Sequence, residues 1–408
     1  MLPTLPPARQ AKVFHVKHPQ TQVTIDQALV LYFCAPRSFT GEDCLELHLH
    51  GSPAVLQALF SALETLPNVR LAEPGEFTRR AFENNKLDLT QAEALADLIA
   101  AETESQRQQA LSNLQGTFGE TIKGLRTDLV SIMARVEALV DFPDEDIPKS
   151  VEDELEDKLQ NLRRSIHTLL KTAEQGIAIR DGFRIAILGE PNVGKSSLLN
   201  ALANKDAAIV TAQAGTTRDI IEVHANLAGY PVILVDTAGL RETEDVIEAE
   251  GIKRARKAAN TAHLKLWLDA PGQQAAPNVS RETFDLYVLN KCDLIGTISE
   301  PASENIDYDL RVSAKTGQGL DDLRKALVFH VKHRLGQTGQ GGVTRERHRL
   351  ALQRALEHVP RDISLRLDMP ELVGEDLRQA VRALGEIIGT VDVEDILDDV
   401  FSSFCIGK

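Results

Sequence analysis

Cysteine is scarce and scattered. The 408-residue chain has four, Cys34, Cys44, Cys292 and Cys405, and no two form a C-x-x-C pair. That spacing speaks against a cysteine zinc site or a disulfide framework and fits a reducing, cytoplasmic compartment. No apolar run approaches the roughly 18 residues that cross a bilayer. Pro3, Pro6 and Pro7 stand where a secretory signal would have its apolar core, so secretion is not expected. Positive charge is also short: 45 Lys+Arg against 60 Asp+Glu leave a net charge of −15. Such a chain is a poor general binder of nucleic-acid backbone, and an RNA substrate would have to meet a local basic patch or be carried by a partner.

Against these absences stands Gly189-Glu-Pro-Asn-Val-Gly-Lys-Ser-Ser197. It follows the β-branched run Phe183–Leu188 and precedes Leu198-Leu-Asn-Ala-Leu, so it reads as strand, G-x-x-x-x-G-K-S loop, helix. Gly189 and Gly194 let successive N–H groups converge on phosphate oxygens, and the helix N-terminus behind them adds partial positive charge. Lys195 can reach the β- and γ-phosphates, and the Ser196 hydroxyl can hold Mg²⁺. With Asn192, Val193 and Ser197 these residues form the expected phosphate site for a nucleoside triphosphate.

Further motifs name the base and the chemistry. Asp236-Thr237-Ala238-Gly239 follows the strand-like Val232–Val235, placing Asp236 near Mg²⁺ and the Gly239 N–H near the γ-phosphate. Asn290-Lys291-Cys292-Asp293 follows Leu286–Leu289. An aspartate there accepts hydrogen bonds from the guanine N1–H and exocyclic amine, a donor pair adenine lacks, so the motif selects GTP. Ser313-Ala314-Lys315 completes the base pocket, and Gly215-Thr216-Thr217-Arg218-Asp219 is a switch loop offering Thr217 to Mg²⁺.

The residue after Gly239 is Leu240, where Ras-type GTPases place a water-orienting glutamine. Leucine can neither orient nor polarise water, so hydrolysis must use another group, with Glu242, Glu244, Asp245, Glu248 and Glu250 as acidic candidates. Arg218 is the nearest candidate for an arginine finger and reads better as structural. A monovalent cation could supply the missing positive charge, bound by Asn192 and switch-loop carbonyls near Thr211 to Thr216.

Along the chain, alternating apolar runs from Thr24 to Leu49 predict strands, Pro53 to Leu66 a helix, and Pro74-Gly75 a turn into another. From Leu87 to about Ile179 the apolar spacing becomes helical, interrupted by the acidic, proline-bounded Asp141–Pro148. Arg180 to about Leu335 alternates strands and helices, predicting a parallel α/β sheet. Gly336–Gly342 reads as a flexible linker, and Thr344 to Lys408 is helical again. The expected units are 1–84 (α+β), 85–179 (helical), 180–335 (GTPase), 336–343 (linker) and 344–408 (helical), with the GTPase inserted in one helical domain.

Residues 1–20 fit none of this. Within them Val13–His18 spells VFHVKH, which recurs at Val328–His333. Two similar amphipathic ends would explain it. So would a palindromic DNA element, such as a chromosome-partition site, read in frame, because Phe-His-Val-Lys can be encoded by the self-complementary TTT-CAC-GTG-AAA.

SFTGEDCLELHLHG (38–51), PGEFTRRAF (74–82), NKLDLTQAEALADLI (85–99), the GTTRD loop and the terminal FCIGK resemble the tRNA modification GTPases of the MnmE (TrmE) family. The resemblance runs from about Ser38 to Lys408 and implies a folate-binding N-terminal domain, a two-part helical domain and an inserted Ras-like GTPase. It implies a homodimer whose GTPase domains meet when K⁺ and GTP bind. It also implies an FAD-containing partner, MnmG, in a heterotetramer-type complex. With MnmG such proteins modify carbon 5 of the tRNA wobble uridine with a carboxymethylaminomethyl-type group, using a one-carbon unit from 5-formyltetrahydrofolate or a related tetrahydrofolate.

By that resemblance the hydrolytic glutamate falls on Glu248. The K⁺ ligands fall on Asn192, Thr211, Gln213 and Thr216, the Mg²⁺ ligands on Ser196 and Thr217, and the folate contacts on Glu46, Lys86 and Lys408. Taken alone, Glu46 reads as an exposed strand carboxylate, Lys86 as a solvated helix start, and Cys405 as packing on an apolar tail, with a reactive thiol as its alternative. The family's glycine-rich first strand, with its folate-contacting arginine, has no counterpart in Met1 to Gln22, so a shortened N-terminus is expected.

Two other readings compete. A ribosome-assembly GTPase would want an RNA module such as a KH domain, or a basic tail, whereas the helical flanks Glu152–Asp157 and Asp392–Asp399 are acidic. A regulatory scaffold would use GTP to move its helical arms and carry no modification role of its own.

Overall fold

The computed structural model describes residues 1–141, 149–205, 221–236, 260–272, 283–295, 307–336, 341–361, 369–391, 394–402 and 404. Strands β1 (Lys12–Lys17), β2 (Thr24–Phe33) and β3 (Cys44–His48) form an antiparallel sheet in that order. Alternation along β2 turns Ala28 and Val30 inward, where they meet Val16 of β1 and Leu59 of α1 (Pro53–Glu64). The Ser52 side chain accepts from the Val55 N–H to open α1. Lys12–Lys17, unassigned from sequence, is therefore an edge strand of this sheet.

Helices α2 (Glu76–Glu83), α3 (Leu89–Ala100), α4 (Glu104–Leu114), α5 (Thr117–Asp141) and α6 (Lys149–Asp181) follow. Asp88 with Gln91, and Thr103 with Gln106, make capping boxes that fix the starts of α3 and α4. The acidic interruption falls between α5 and α6, where 142–148 lie outside the described residues.

The second sheet comprises β4 (Phe183–Leu188), β5 (Ile221–Leu227), β6 (Tyr230–Asp236), β7 (Leu264–Asp269), β8 (Leu286–Leu289) and β9 (Leu310–Arg311) in the order β5-β6-β4-β7-β8-β9. All neighbours are parallel except β5 and β6, which form a hairpin, so the expected parallel sheet is mixed. Helices α7 (Lys195–Lys205) and α8 (Leu320–Leu335) belong to this unit. Chain order reverses on either side of β4, which puts a topological switch point at its C-terminal end, where such sheets bind ligands.

Helices α9 (Glu346–His358), α10 (Pro370–Ile388) and α11 (Glu394–Ser402) complete the chain. Residues of α5 and α6 share one apolar core with α9 and α10, including Ile122, Leu129, Leu159, Leu352, Leu377 and Leu384. The two helical segments thus fold together on one core, with the sheet inserted between them in sequence. Arg345, Arg347 and His348 converge on the buried Glu93 of α3. Phe401 and Phe404 pack with Leu89 and Ala92 of the same helix.

The expected flexible linker is held at its described end. Asn113 Nδ2 donates to the Gly342 carbonyl at 3.0 Å, and the Gly342 N–H donates back to Asn113 Oδ1 at 2.9 Å.

Candidate nucleotide-binding site

The phosphate loop leaves β4 at Gly189 and enters α7 at Lys195. Gly189 has φ 150°, and a Cβ there would stand 2.2 Å from the Leu268 carbonyl oxygen. Gly194 has φ 97°, and its Cβ would meet Asn290 Nδ2 at 2.5 Å. Each glycine is required by a left-handed backbone and by a close approach together. Asn192, at φ 64°, is exposed at the outer turn of the loop.

Lys195 is 6% exposed, and its Nζ donates to the carbonyls of Gly189 and Glu190, both at 2.9 Å. Burial pushes the ammonium's pKa down, while Asp236 and Glu190 pull it up. The loop thus holds one cation inside a ring of backbone, fit to neutralise phosphate charge. Ser196 Oγ donates to Asp236 Oδ2 at 2.6 Å. Asp236, at the end of β6, is 1% exposed. A hydroxyl and a carboxylate oxygen this close are the hard-oxygen donor set that suits Mg²⁺.

The base-side loops are tied to this one. Asn290 follows β8 and is 1% exposed; its Nδ2 donates to the Val193 carbonyl at 2.9 Å, and its Oδ1 accepts from the Ala314 N–H at 3.0 Å. Lys291, at φ 56°, donates from Nζ to the Asn192 carbonyl at 2.6 Å. The Cys292 N–H donates to the Val312 carbonyl at 3.0 Å, and the Ser313 N–H to the Gln318 carbonyl at 2.9 Å. Asp293 is exposed in the short turn Cys292–Leu294, and Lys315 is exposed beside Ala314. The arrangement leaves the Asp293 carboxylate exposed while Asn290 does the structural bracing.

The structure therefore gathers Asn192, Val193, Gly194, Lys195, Ser196, Ser197, Asp236, Asn290, Lys291, Asp293, Ser313, Ala314 and Lys315 around one end of the sheet. Thr211, Gln213, Thr216, Thr217, Thr237, Ala238, Gly239, Glu248, Cys405 and Lys408 lie outside the described residues. Sequence reasoning did not foresee the Lys291–Asn192 link, which depends on two left-handed residues nearly a hundred positions apart.

At the N-terminal sheet an open cleft of ≈ 660 Å³ is lined by Arg9, Leu31, Phe33, Arg37, Phe39 and Lys86, with others. Glu46 pairs with Leu31 across the sheet, so its half-exposed side chain borders the same face. Arg9 and Arg37 were not anticipated. Arg9 is anchored by its N–H to the Tyr32 carbonyl (2.8 Å) and by Nη2 to the Arg37 carbonyl (3.1 Å).

Family comparison agrees with this geometry. The MnmE helical domain matches residues 89–405, and the N-terminal domain described as GTP-binding protein TrmE N-terminus matches residues 2–86. The chain belongs to the MnmE family.

Among curated members, the tRNA modification GTPase MnmE of Paramagnetospirillum magneticum is 49% identical over 409 residues, covering 99% of this chain and 91% of its own. That of Parvibaculum lavamentivorans is 46% identical, covering 98% and 91%. Among solved structures, Aquifex aeolicus Era bound to GDP·AlF4⁻ is 25% identical over 43% of this chain and 66% of its own, at a TM-score of 0.29, too low to bear on the argument. The MnmE match corrects one expectation. Met1 to Gln22, read as lying outside the resemblance, falls from residue 2 onward within the N-terminal domain, where it supplies β1 and Arg9. The chain is a GTP-binding GTP hydrolase of a tRNA-modifying family. No described helix is long and apolar enough to cross a membrane.

Proposed function

We propose that the chain is a K⁺-dependent GTPase that works as a homodimer with MnmG in the cytoplasm to modify carbon 5 of the tRNA wobble uridine. The observation that carries this is the joined constellation of Lys195, Ser196–Asp236 and Asn290–Asp293 in a chain matching MnmE domains along almost its whole length. Lys195 and the loop N–H groups bind the β- and γ-phosphates, and Ser196 with Thr217 holds Mg²⁺, which supplies charge neutralisation when bound. Asp293 reads guanine. Asn192, exposed on the loop, is the side-chain ligand for K⁺, with Thr211, Gln213 and Thr216 completing the set.

Because Leu240 cannot position water, Glu248 does so, and the dimer contact brings it to the γ-phosphate. The N-terminal cleft takes 5-formyltetrahydrofolate or a related tetrahydrofolate. Arg9, Arg37 and Lys86 suit the carboxylates of its glutamate tail, Glu46 its pterin donors, and Phe33 and Phe39 its ring faces. Arg9 then stands in for the arginine expected from a glycine-rich first strand. Lys408 is the remaining folate contact of the reading. The functional units divide near residues 84, 179 and 335.

The test is GTP hydrolysis in KCl against NaCl, with Glu248→Ala alongside. Strong K⁺ stimulation that vanishes in the variant is expected. Equal rates in both salts would remove the cation-bridged dimer from the reading.

A further inference from the structure

VFHVKH occurs at Val13–His18 and again at Val328–His333, and the fold uses the two copies in opposite ways. The first lies in β1, with Val16 fully buried, Phe14 half-buried against the same core and Val13 60% exposed. The second lies in α8, with Val331 fully buried, Val328 packed on the GTPase core and Phe329 66% exposed. The Phe329 ring meets the rings of His330 and His333 at 5.8 and 6.1 Å. A run of Val, Phe, His and Val is strand chemistry, and its β-branched and aromatic side chains lose rotamer freedom in a helix. The fourth residue, Val16 or Val331, is buried in both copies, but the backbone, the surroundings and the second inward residue (Phe14 in one, Val328 in the other) differ. They share no folded epitope, pairing or ligand surface, so what is held constant is not a feature of the protein.

It is legible in the code. TGTTTCACGTGAAACA is its own reverse complement. Read from its third base it gives Phe-His-Val-Lys, and its outer bases fit a Val codon ending TG before and a His codon beginning CA after. That accounts for a repeat of six residues where the inner four already spell a palindrome. Read from its second base, the same DNA gives Val-Ser-Arg-Glu-Thr, and that peptide is present as Val279–Thr283 after Asn278, for which an AAT codon would supply the first T. The remaining frame contains the stop TGA. Both open frames are therefore represented in this one chain.

We propose that the coding DNA carries this palindrome three times and is itself a binding site for a two-fold-symmetric DNA-binding protein, the protein fold accommodating the imposed residues. A perfect inverted repeat is what a dimer reads, one half-site per subunit in successive major grooves. Exposed Val13 and Phe329 are what the fold concedes to it.

The test begins with the codons. TTT-CAC-GTG-AAA at Phe14–Lys17 and at Phe329–Lys332, and GTT-TCA-CGT-GAA-ACA at Val279–Thr283, are expected; other synonymous codons at any of the three would overturn the proposal. A duplex of the tract should form a discrete gel-shift complex in extract of the source cells that survives excess scrambled duplex, and a synonymously recoded duplex should not. Equal shifts for both would overturn it. Phe329→Lys in the full chain should leave GTP hydrolysis and melting temperature unchanged; a large loss of either would place the constraint in the protein.

Discussion

The Ser196 hydroxyl donates to Asp236 Oδ2 at 2.6 Å, joining the first turn of α7 to the last residue of β6. Two elements separated by forty residues thus present one oxygen pair at the mouth of the phosphate loop. Ser196→Ala removes the hydroxyl without disturbing an apolar contact, since residue 196 is exposed. The expected outcome is a modestly lowered melting temperature, because the buried Asp236 loses that donor, and a Mg²⁺-dependent kcat/KM for GTP that falls by roughly a hundredfold. Steady-state kinetics over a Mg²⁺ titration reads this directly, and hydrolysis unaltered at limiting Mg²⁺ would contradict it.

Asn290 braces two loops with one side chain, and Asn290→Ala leaves the Val193 carbonyl and the Ala314 N–H without that partner. Each buried polar group stranded this way costs about 1–3 kcal/mol. GTP affinity should fall by on the order of tenfold to a hundredfold, with a lowered melting temperature for the GTPase unit. Fluorescent-nucleotide titration and calorimetry would measure the two effects separately.

The helical domain should be acid-sensitive through His348. That ring is fully enclosed, and burial pushes its pKa down to about 4 despite the neighbouring Glu93. The folded state therefore keeps it neutral while the unfolded chain takes up a proton near the ordinary value of 6.5. Between those limits the unfolded state binds more protons, so stability is full above pH 6.5 and is lost as pH falls toward 4, at up to about 1.4 kcal/mol per pH unit. Glu93 adds a second loss at lower pH. Burial works against its charge, but His348 and Arg347 outweigh burial and hold its pKa below the usual carboxylate range. Thermal melts between pH 7 and 4.5 should show the first slope in the native chain and a flatter one in His348→Gln.

Local signals made the nucleotide site legible: two glycines, a lysine and a serine in a strand–loop–helix context define the phosphate loop without any long-range knowledge. The helices followed from apolar spacing and from capping residues such as Asp88 and Thr103. What escaped notice depends on contacts distant in sequence. Glu93 and His348 are 255 residues apart, and each alone reads as an ordinary polar residue on a helix. The hairpin of β5 with β6 reads from sequence as part of a parallel sheet, although Ile221–Leu227 alternates apolar and polar residues, because the two-residue turn at Ala228–Gly229 leaves little trace. Lys12–Lys17 was missed as a strand because its pattern differs from a glycine-rich family start and because the same hexapeptide forms a helix elsewhere. Its partner β2, paired from Thr24 to Val30, supplies what the local sequence does not.

The central claim is that this chain reads guanine through Asp293 at a site braced by Asn290. The direct measurement is hydrolysis of GTP and of xanthosine triphosphate by the native chain and by Asp293→Asn. Xanthine carries a carbonyl where guanine carries its exocyclic amine, so an amide donor at residue 293 suits it and a carboxylate does not. The account predicts GTP preference in the native chain and a reversal to xanthosine triphosphate in the variant, each by roughly a hundredfold or more in kcat/KM, the scale on which a site built to hydrogen-bond one group rejects its mismatch. Undiminished preference for GTP in Asp293→Asn would contradict it.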